Sequence, residues 1–259
     1  MDTTLFRQFA PIIRSLSASE LKGAPSLRSK LTIAERDKLQ ICYAPFEFIN
    51  ANARVVIVGI TPGHQQMINA IGEARRQLDI GASDVQTLQA AKAVGAFSGD
   101  IRVHLVDLLD HIGINQWLGL SSCSDLFGNA ASLVQTTSAL RNPVFYQGKD
   151  YNGTPKMTRD PLLREKLLKY FAEDIRVMPN AVFVPLGSKV ADALTFLAER
   201  GDLDKNRILT GLPHPSPQNI ERIRYFLGQK PKEALSSKTN GPMLDEAKAK
   251  ILHQVQALT

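Results

Sequence analysis

The stretch VVIVGITPGH, residues 55–64, places four β-branched residues directly before a Gly-x-x-Pro-Gly turn. An apolar run without polar alternation is typical of a strand that is buried on both faces. After the turn, apolar residues recur at helical spacing from Met67 to Leu78. The stretch therefore predicts a buried strand, a tight turn and a helix, which is the repeating unit of an α/β fold.

The same alternation continues along the chain. Three further segments have the apolar and β-branched content of strands: 131–140, 181–187 and 207–213. Helical periodicity is found at 3–16, 85–94, 101–112, 161–173, 188–201 and 243–257. Turn-forming and polar residues predict a long surface loop at 141–155 and a flexible segment at 229–242. Strands alternating with helices predict the α/β class, with a central, mainly parallel sheet of four strands.

The composition of the 259 residues is that of an ordinary globular chain, with 44% hydrophobic and 22% charged residues. The apolar runs are too short for a membrane span, and the N-terminus lacks the features of a signal peptide. Cys42 and Cys123 match no metal-binding spacing. We therefore expect a cytoplasmic protein with no membrane segment, metal or cofactor. The net charge of +6 mildly favours an anionic partner such as nucleic acid.

Three turns follow the predicted strands: GITPG at 59–63, TTSALRNP at 136–143 and GLPHPSP at 211–217. In parallel sheets, ligands bind beyond the C-terminal ends of the strands, where the strand order reverses. The architecture therefore predicts that a binding site is built from these turns.

The turn at Gly59–Gly63, here called the GITPG turn, joins a strand to a helix. Gly59 allows a ligand or backbone to approach closely, and Gly63 allows a turn conformation that other residues avoid. The amides of the turn and the helix N-terminus could hold an anion or a carbonyl oxygen. The turn matches neither a Walker loop nor a dinucleotide fingerprint, and it could also be a plain tight connection.

The segment His214–Pro217, here called the HPSP turn, holds a histidine and a serine between rigid prolines. A histidine at a strand end can donate a hydrogen bond to a developing oxyanion. Ser216 and nearby amides could bind a phosphate. The alternative is a proline-rich turn with an exposed histidine.

Together, the GITPG and HPSP turns resemble those that follow the first and last strands in the uracil-DNA glycosylase superfamily. Two more segments match in the family's order. The sequence Phe97-Ser98-Gly99 resembles the segment with the base-stacking phenylalanine, and AVFVPLGSKVADAL, residues 181–194, resembles the element before the histidine turn.

The resemblance covers about residues 44–227. It implies a single glycosylase-like domain with a three-layer α/β/α fold. Residues 1–43 would be an N-terminal helical extension, and residues 228–259 a flexible segment and a C-terminal helix.

The resemblance also assigns roles. His214 would stabilise the charge that grows on the base carbonyl as the glycosidic bond breaks, and Phe97 would stack on the extruded base. Thr136, Thr137 and Ser138 would read the base's pairing edge. The residues that would contact the base are Gly59, Ile60, Pro62, Gly63, Phe97, Thr136 and Thr137. The residues that would contact DNA are Ser216, Asn219, Arg222 and Arg224, with Ile220 or Tyr225 as a wedge.

Thr61 departs from the family pattern. Many members carry Asn or Asp there, or Glu at the position of Ile60, to orient or activate the attacking water. A threonine hydroxyl can position water but is a poor base. Thr61 is therefore a catalytic candidate that could orient the attacking water but not deprotonate it. His64, Gln65, Asp100 and Asp107 are the alternative candidates. Two cysteines cannot hold the cluster of the iron–sulfur branch.

The resemblance implies a monofunctional DNA glycosylase that flips a damaged or modified base and hydrolyses its N-glycosidic bond, leaving an abasic site. Anti-phage defence against DNA with modified cytosine is one role that the analogy suggests. DNA is the expected partner, and we expect a monomer. Two alternatives stay open: a non-catalytic DNA-binding module with the same fold, and an α/β enzyme that acts on a free nucleotide.

Overall fold

The computed structural model describes residues 2–95 and 100–258, and these residues form two compact units. The first unit comprises residues 2–49, 60–95 and 137–177, and the second unit comprises residues 50–59, 100–136 and 178–258. The boundaries at 59/60 and 136/137 fall within two of the turns that the sequence singled out. Phe97 lies outside the described residues.

Helices and strands occur in short runs along the described chain, joined by turns, short 3-10 segments and a π-helical segment at Leu167–Phe171. The helices are α1 Thr4–Ser15, α2 Ser26–Leu31, α3 His64–Asp79, α4 Asp84–Gly95, α5 Asp100–His111, α6 Ile114–Leu118, α7 Pro161–Lys166, α8 Ala172–Arg176, α9 Ser188–Glu199, α10 Ile220–Phe226 and α11 Gly241–Gln256. The strands are β1 Thr32–Arg36, β2 Leu39–Cys42, β3 Val55–Gly59, β4 Val134–Ser138, β5 Val144–Tyr146, β6 Lys149–Asp150 and β7 Val182–Pro185. The α/β class predicted from the sequence is confirmed.

The sheet of the first unit has the order β1-β2-β5-β6, and its strands pair antiparallel. The strands β5 and β6 form a hairpin where the sequence predicted a surface loop, so that prediction was wrong. Gln147 and Gly148 both have positive φ, at 52° and 75°, which is the geometry of a two-residue type I′ turn. Val144, Phe145 and Tyr146 supply the β-forming residues before the turn.

Residues 1–43, expected as a helical extension, also contain strands: β1 and β2 belong to this antiparallel sheet. The core of the first unit packs α1, α3 and α4 against residues of β2 and β5. Phe9 stacks on Tyr43 with ring centroids 4.4 Å apart. The N-terminal segment is therefore part of the first unit's core.

The sheet of the second unit has the order β4-β3-β7, with β3 and β7 parallel and Val55 opposite Val182. The run Val55–Val58 is fully buried, as its continuous apolar pattern predicted. The predicted fourth strand is reduced to a single parallel bridge between Phe183 and Ile208. The four-stranded sheet was therefore wrong for the described residues. After this bridge, Gly211 turns the chain with φ of 132° against the backbone of α11.

The segment that the sequence predicted to be flexible is held by Glu221 of α10. Its carboxylate accepts hydrogen bonds from Lys230 Nζ at 2.7 Å, from both the amide and the hydroxyl of Ser236, and from the Thr239 hydroxyl. These bonds hold the pKa of Glu221 far below its usual value. No helix of the described residues has the length and apolar character needed to cross a bilayer.

Candidate functional site

The HPSP turn fixes the proton position on His214. The backbone amide of Ser216 donates a hydrogen bond to Nδ1 of His214 at 3.2 Å. An amide can only donate, so Nδ1 must be the acceptor and the neutral ring carries its hydrogen on Nε2. Burial lowers the pKa of His214 below 6.5, which favours the neutral ring. His214 is therefore a neutral hydrogen-bond donor through Nε2.

In the second unit, Gly187 lies beside this turn and His104 is hydrogen-bonded to it. Gly187, which has φ of 90° at the start of α9, lies so close to His214 that an added Cβ would be 3.7 Å from its side chain. His104 of α5 forms a 3.0 Å hydrogen bond through Nδ1 to the carbonyl oxygen of Pro215. Because a carbonyl can only accept, Nδ1 of His104 is the donor. His104 was not among the site residues predicted from the sequence.

The DNA-contact candidates of the second unit form a hydrogen-bonded series. Asn219 Nδ2 donates to the Ser216 hydroxyl oxygen at 3.1 Å, and Arg222 donates to Asn219 Oδ1 at 3.5 Å and to the carbonyl oxygen of Lys238 at 3.2 Å. Arg222 and Arg224 are both exposed on α10. The Ser216 hydroxyl only accepts in this arrangement, so its own hydrogen can still be donated to a ligand.

Tyr225 is held by another element. Its hydroxyl donates to the carboxylate of Asp245 in α11, at 2.8 and 2.9 Å from the two oxygens. This contact fixes the ring against α11, whereas Ile220 is the first residue of α10 and is half-buried. Of the two wedge candidates, Ile220 is the one without such an anchor.

In the first unit, Thr61 links the GITPG turn to the segment before β5. Its hydroxyl donates to the carbonyl oxygen of Asn142 at 2.9 Å and accepts from the amide of Val144 at 3.1 Å. The Leu140 amide donates to the carbonyl oxygen of Ile60 at 3.0 Å. The hydrogen of the Thr61 hydroxyl is thus already used within the protein, and one acceptor lone pair remains.

Gly63 has an ordinary backbone conformation, with φ of −79° and ψ of 172°. The expectation that a special conformation requires glycine here was wrong. A Cβ at this position would lie 2.9 Å from Oδ2 of Asp150. The two carboxylate oxygens of Asp150 accept from the amide of His64, at 3.1 and 3.2 Å. The N-terminus of α3, expected to receive a ligand anion, therefore binds the protein's own carboxylate.

Asn142 is the most deeply buried polar residue beside this turn, with 3% exposure. Neither its side-chain oxygen nor its side-chain nitrogen has a hydrogen-bond partner among the described residues. An unpaired buried amide costs free energy and calls for an explanation by a bound molecule or water. Asn142 lies in the TTSALRNP segment, but the reading groups predicted from the sequence were Thr136, Thr137 and Ser138, which are half-buried on β4.

A cluster of buried polar and charged residues lies around Arg141 in the first unit. Arg141 forms an ion pair with Asp174, and Lys92 of α4 donates through Nζ to the carbonyl oxygens of Phe46, at 3.3 Å, and Phe48, at 2.6 Å. Glu47 is 2% exposed, and burial raises its pKa to about 7. Burial also lowers the pKa of Lys92 to about 8. Their charges interact with each other and with Arg141.

The chain is similar to the "Uncharacterized protein YoxB" of Bacillus subtilis (strain 168). It is 33% identical over 229 residues, which cover 87% of this chain and 89% of YoxB. The chain belongs to the YoxB family. No protein-family model matches the chain, and no solved structure matches it.

In this member of the YoxB family, the predicted residues are divided between the two units. The second unit brings His214, Ser216, Asn219 and Arg222 together, with Arg224 on the same helix. The first unit brings Thr61 and Gly63 together with Asn142 and Asp150, of which the sequence analysis named only the first two. Ile60 is half-buried, and Gly59 and Pro62 are buried. Asp100 and Asp107, two of the water-activating candidates, are exposed on α5.

Proposed function

We propose that this YoxB-family protein is a monofunctional DNA glycosylase with a three-layer, uracil-DNA glycosylase-like α/β/α fold. It would take a damaged or modified base out of the DNA helix and hydrolyse the N-glycosidic bond with water, leaving an abasic site. A modified cytosine, as in phage DNA, is one base class that the resemblance suggests. No cofactor takes part in this proposal.

The observation that carries the proposal is the tautomer of His214. When the glycosidic bond breaks, its electron pair moves onto the base and negative charge develops on a base carbonyl oxygen. A fixed N–H donor stabilises such a charge without having to reorganise during the reaction. The Ser216 amide holds Nδ1 as an acceptor, so Nε2–H is the donor, and the lowered pKa keeps the ring neutral near pH 7.

Asn142 supports the proposal as a further residue that could form hydrogen bonds with the pairing edge of the base. The pairing edge of a nucleobase presents hydrogen-bond donors and acceptors side by side, and a carboxamide presents the same pair in complementary positions. The Asn142 amide is buried without a partner among the described residues. We add it to Thr136 and Thr137 as a candidate that reads the base.

The series Ser216, Asn219 and Arg222, with the neighbouring Arg224, supports DNA as the partner. A serine hydroxyl with a free hydrogen and exposed guanidinium groups are suited to phosphate oxygens. Binding that neutralises phosphates releases counterions, so the affinity should fall steeply as salt is raised.

A non-catalytic DNA-binding module is the second candidate, and the hydrogen bonding of Thr61 favours it. The Thr61 hydroxyl donates its hydrogen to Asn142 and cannot act as a base. A module without chemistry would need no base in the turn. It would keep salt-dependent DNA binding and release no base.

The deciding experiment measures abasic sites by alkaline cleavage of labelled oligonucleotides, both single- and double-stranded. The panel contains uracil, hypoxanthine and glucosylated or hydroxymethylated cytosine. Wild type is compared with His214→Ala and with the control His253→Ala, which removes an exposed histidine of α11. We expect release from at least one substrate, a loss of at least about 100-fold in His214→Ala and no change in the control.

Other outcomes separate the alternatives. Salt-dependent DNA binding without base release from any substrate would support the DNA-binding module. Binding of a free nucleotide without DNA binding would support the third reading, an α/β enzyme that acts on nucleotides. Equal release by wild type and His214→Ala would remove His214 from the role proposed here.

A further inference from the structure

The second unit contains a pocket of about 330 Å³ between the end of α5, the helix α6 and the last turns of α11. Its apolar wall includes Ile112, Trp117, Leu252 and Val255. Gly113 separates α5 from α6 with φ of 83°, a conformation that suits glycine, and an added Cβ would lie 3.9 Å from Val255. The volume is at the lower end of small-molecule sites, so the pocket suits a single small ring system.

Trp117, in the wall of this pocket, carries a hydrogen-bond donor that the protein itself does not use. The indole Nε1 is buried, and it has no hydrogen-bond partner among the described residues. The guanidinium carbon of Arg54 lies 4.4 Å from the ring centroid, and this cation–π contact stabilises the position of the ring. An indole nitrogen can only donate, and a buried donor without an acceptor is unfavourable. A ligand with an acceptor atom would remove this cost.

Asp110 adds an acceptor to the same pocket. Its two carboxylate oxygens accept one hydrogen bond each, from the Ser122 hydroxyl at 2.7 Å and from the Cys123 amide at 2.6 Å. These bonds fix the carboxylate and leave a further acceptor position on each oxygen. Gln116 and Gln256, which also line the pocket, add carboxamide groups that both donate and accept. The pocket therefore offers donors and acceptors beside an apolar wall.

The charge of the pocket restricts the ligand. Asp110 is the only Asp, Glu, Lys or Arg among the described residues that line it. The histidine in the wall, His111, is neutral near pH 7 because partial burial and the charge of Lys248 lower its pKa below 6.5. The wall therefore carries one negative charge and no cation. Such a wall disfavours phosphates, and with them nucleotides and a DNA backbone.

A flat aromatic wall, an unused donor and an uncompensated carboxylate are complementary to one class of ligand. We propose that this pocket binds a neutral, planar heterocycle with an N–H and a C=O group in its ring, the class to which free nucleobases belong. The ring N–H donates to Asp110, and the C=O accepts from Nε1 of Trp117. The inference goes beyond the proposed function: His104, which contacts the HPSP turn, and Asp110 lie about 9 Å apart along α5 at 1.5 Å per residue.

Trp117 is the single tryptophan of the chain, so its fluorescence reports on this pocket. The full-length protein is titrated with uracil, cytosine and hypoxanthine, with excitation at the red edge of the indole absorption, where these bases absorb little. We expect a saturable change with at least one base. Uridine 5′-monophosphate, which adds a phosphate, should give no saturable change. The compound 1,3-dimethyluracil lacks the ring N–H and should bind about tenfold more weakly than uracil.

Calorimetric titration of variants locates the site. Trp117→Phe keeps an aromatic ring but removes the N–H, and the affinity for the base should fall about fivefold. Leu252→Phe places a larger side chain in the pocket and should abolish saturation. Met243→Phe makes a similar change at an exposed position of the same helix and should bind like wild type. If Leu252→Phe fails to fold, Trp117→Phe and 1,3-dimethyluracil decide the matter.

His214→Ala separates this pocket from the site of the proposed function, and it should bind free bases with wild-type affinity. No saturable change with any base would overturn the inference and leave the glycosylase proposal standing. Equal saturation by uridine 5′-monophosphate, unchanged binding in both Trp117→Phe and Leu252→Phe, or loss of binding in His214→Ala would also overturn it. A wild-type protein that binds free bases in this way but releases none from DNA would support the inference and overturn the glycosylase proposal.

Discussion

The Ser216 amide donates to Nδ1 of His214, and this single contact determines which ring nitrogen can donate outward. A backbone amide cannot reverse its role, so the tautomer is fixed by the chain's path through two prolines. Protonation of Nδ1 would break the contact, and burial opposes the same protonation.

The first prediction concerns this ring directly. In nitrogen NMR spectra at pH 7, His214 should be neutral with its hydrogen on Nε2, and its pKa should lie below 6.5. A hydrogen on Nδ1, or a pKa above 6.5, would contradict the assignment. The measurement needs no substrate.

The second prediction separates the structural role of Thr61 from a chemical one. Thr61→Val keeps the shape but leaves the carbonyl of Asn142 and the amide of Val144 without this partner. We expect a loss of about 2 kcal/mol in the free energy of unfolding, since each lost hydrogen bond costs about 1 kcal/mol. Chemical denaturation measures it. Thr61→Ser keeps the hydroxyl, and its free energy of unfolding should stay within about 0.5 kcal/mol of wild type. Equal losses in both variants would argue against a stabilising role of the two hydrogen bonds of the Thr61 hydroxyl.

The third prediction concerns the pH dependence of stability. The folded protein keeps a proton on Glu47 up to about pH 7, whereas the unfolded chain releases it near 4.5. Between these values the folded state binds more protons, so this group makes the protein less stable as pH rises, by up to about 3 kcal/mol. Lys92 acts in the opposite direction: its pKa of about 8 lies below the unfolded value of 10.5, so its contribution to stability rises from pH 8 upward.

The combined contribution of Glu47 and Lys92 to the free energy of unfolding is therefore lowest near pH 7–8. Glu47→Gln should remove the decline in unfolding free energy between pH 5 and pH 7, as measured by denaturation at each pH. The control Glu199→Gln changes an exposed glutamate of α9 and should keep the decline. A decline that persists in Glu47→Gln would show that another group causes it.

The fourth prediction concerns the segment after α10. Glu221 accepts hydrogen bonds from Lys230, Ser236 and Thr239, so Glu221→Ala should release residues 230–239 from α10. Limited proteolysis should then cut within this segment faster than in wild type, and amide exchange there should speed up. The control Glu246→Ala changes an exposed glutamate of α11 and should leave the cleavage rate unchanged. Equal cleavage of wild type and Glu221→Ala would contradict the proposed anchoring.

The parts of the fold that the sequence predicted best are those that depend on local patterns. The run Val55–Val58 is a buried parallel strand because β-branched residues without polar alternation suit burial on both faces. The HPSP turn was identified because two prolines restrict its backbone. The helix bounds at α1, α3 and α5 agree closely with the apolar periodicity.

The missed features depend on contacts between distant residues. The hairpin turns at Gln147-Gly148, a pair that carries a weaker signal than Asn-Gly, so residues 141–155 were interpreted as a loop. Asp150 then had no predicted position, and its contact with α3 spans 86 residues. Glu47 and Lys92 are polar residue types that are usually exposed, and nothing in the local sequence indicates their burial.

The close approach of α11 to Gly211 has a practical consequence for work with shortened chains. A Cβ at Gly211 would lie 2.6 Å from the carbonyl oxygen of Ala247, and Ile251 and Val255 are buried in the second unit's core. The resemblance to the uracil-DNA glycosylase superfamily ends near Leu227, so a shortened chain could be designed to end there. Such a product would lose the helix that covers this core and present its apolar residues to solvent. Expression trials should therefore keep α11, since a fragment ending at Leu227 would be prone to aggregate.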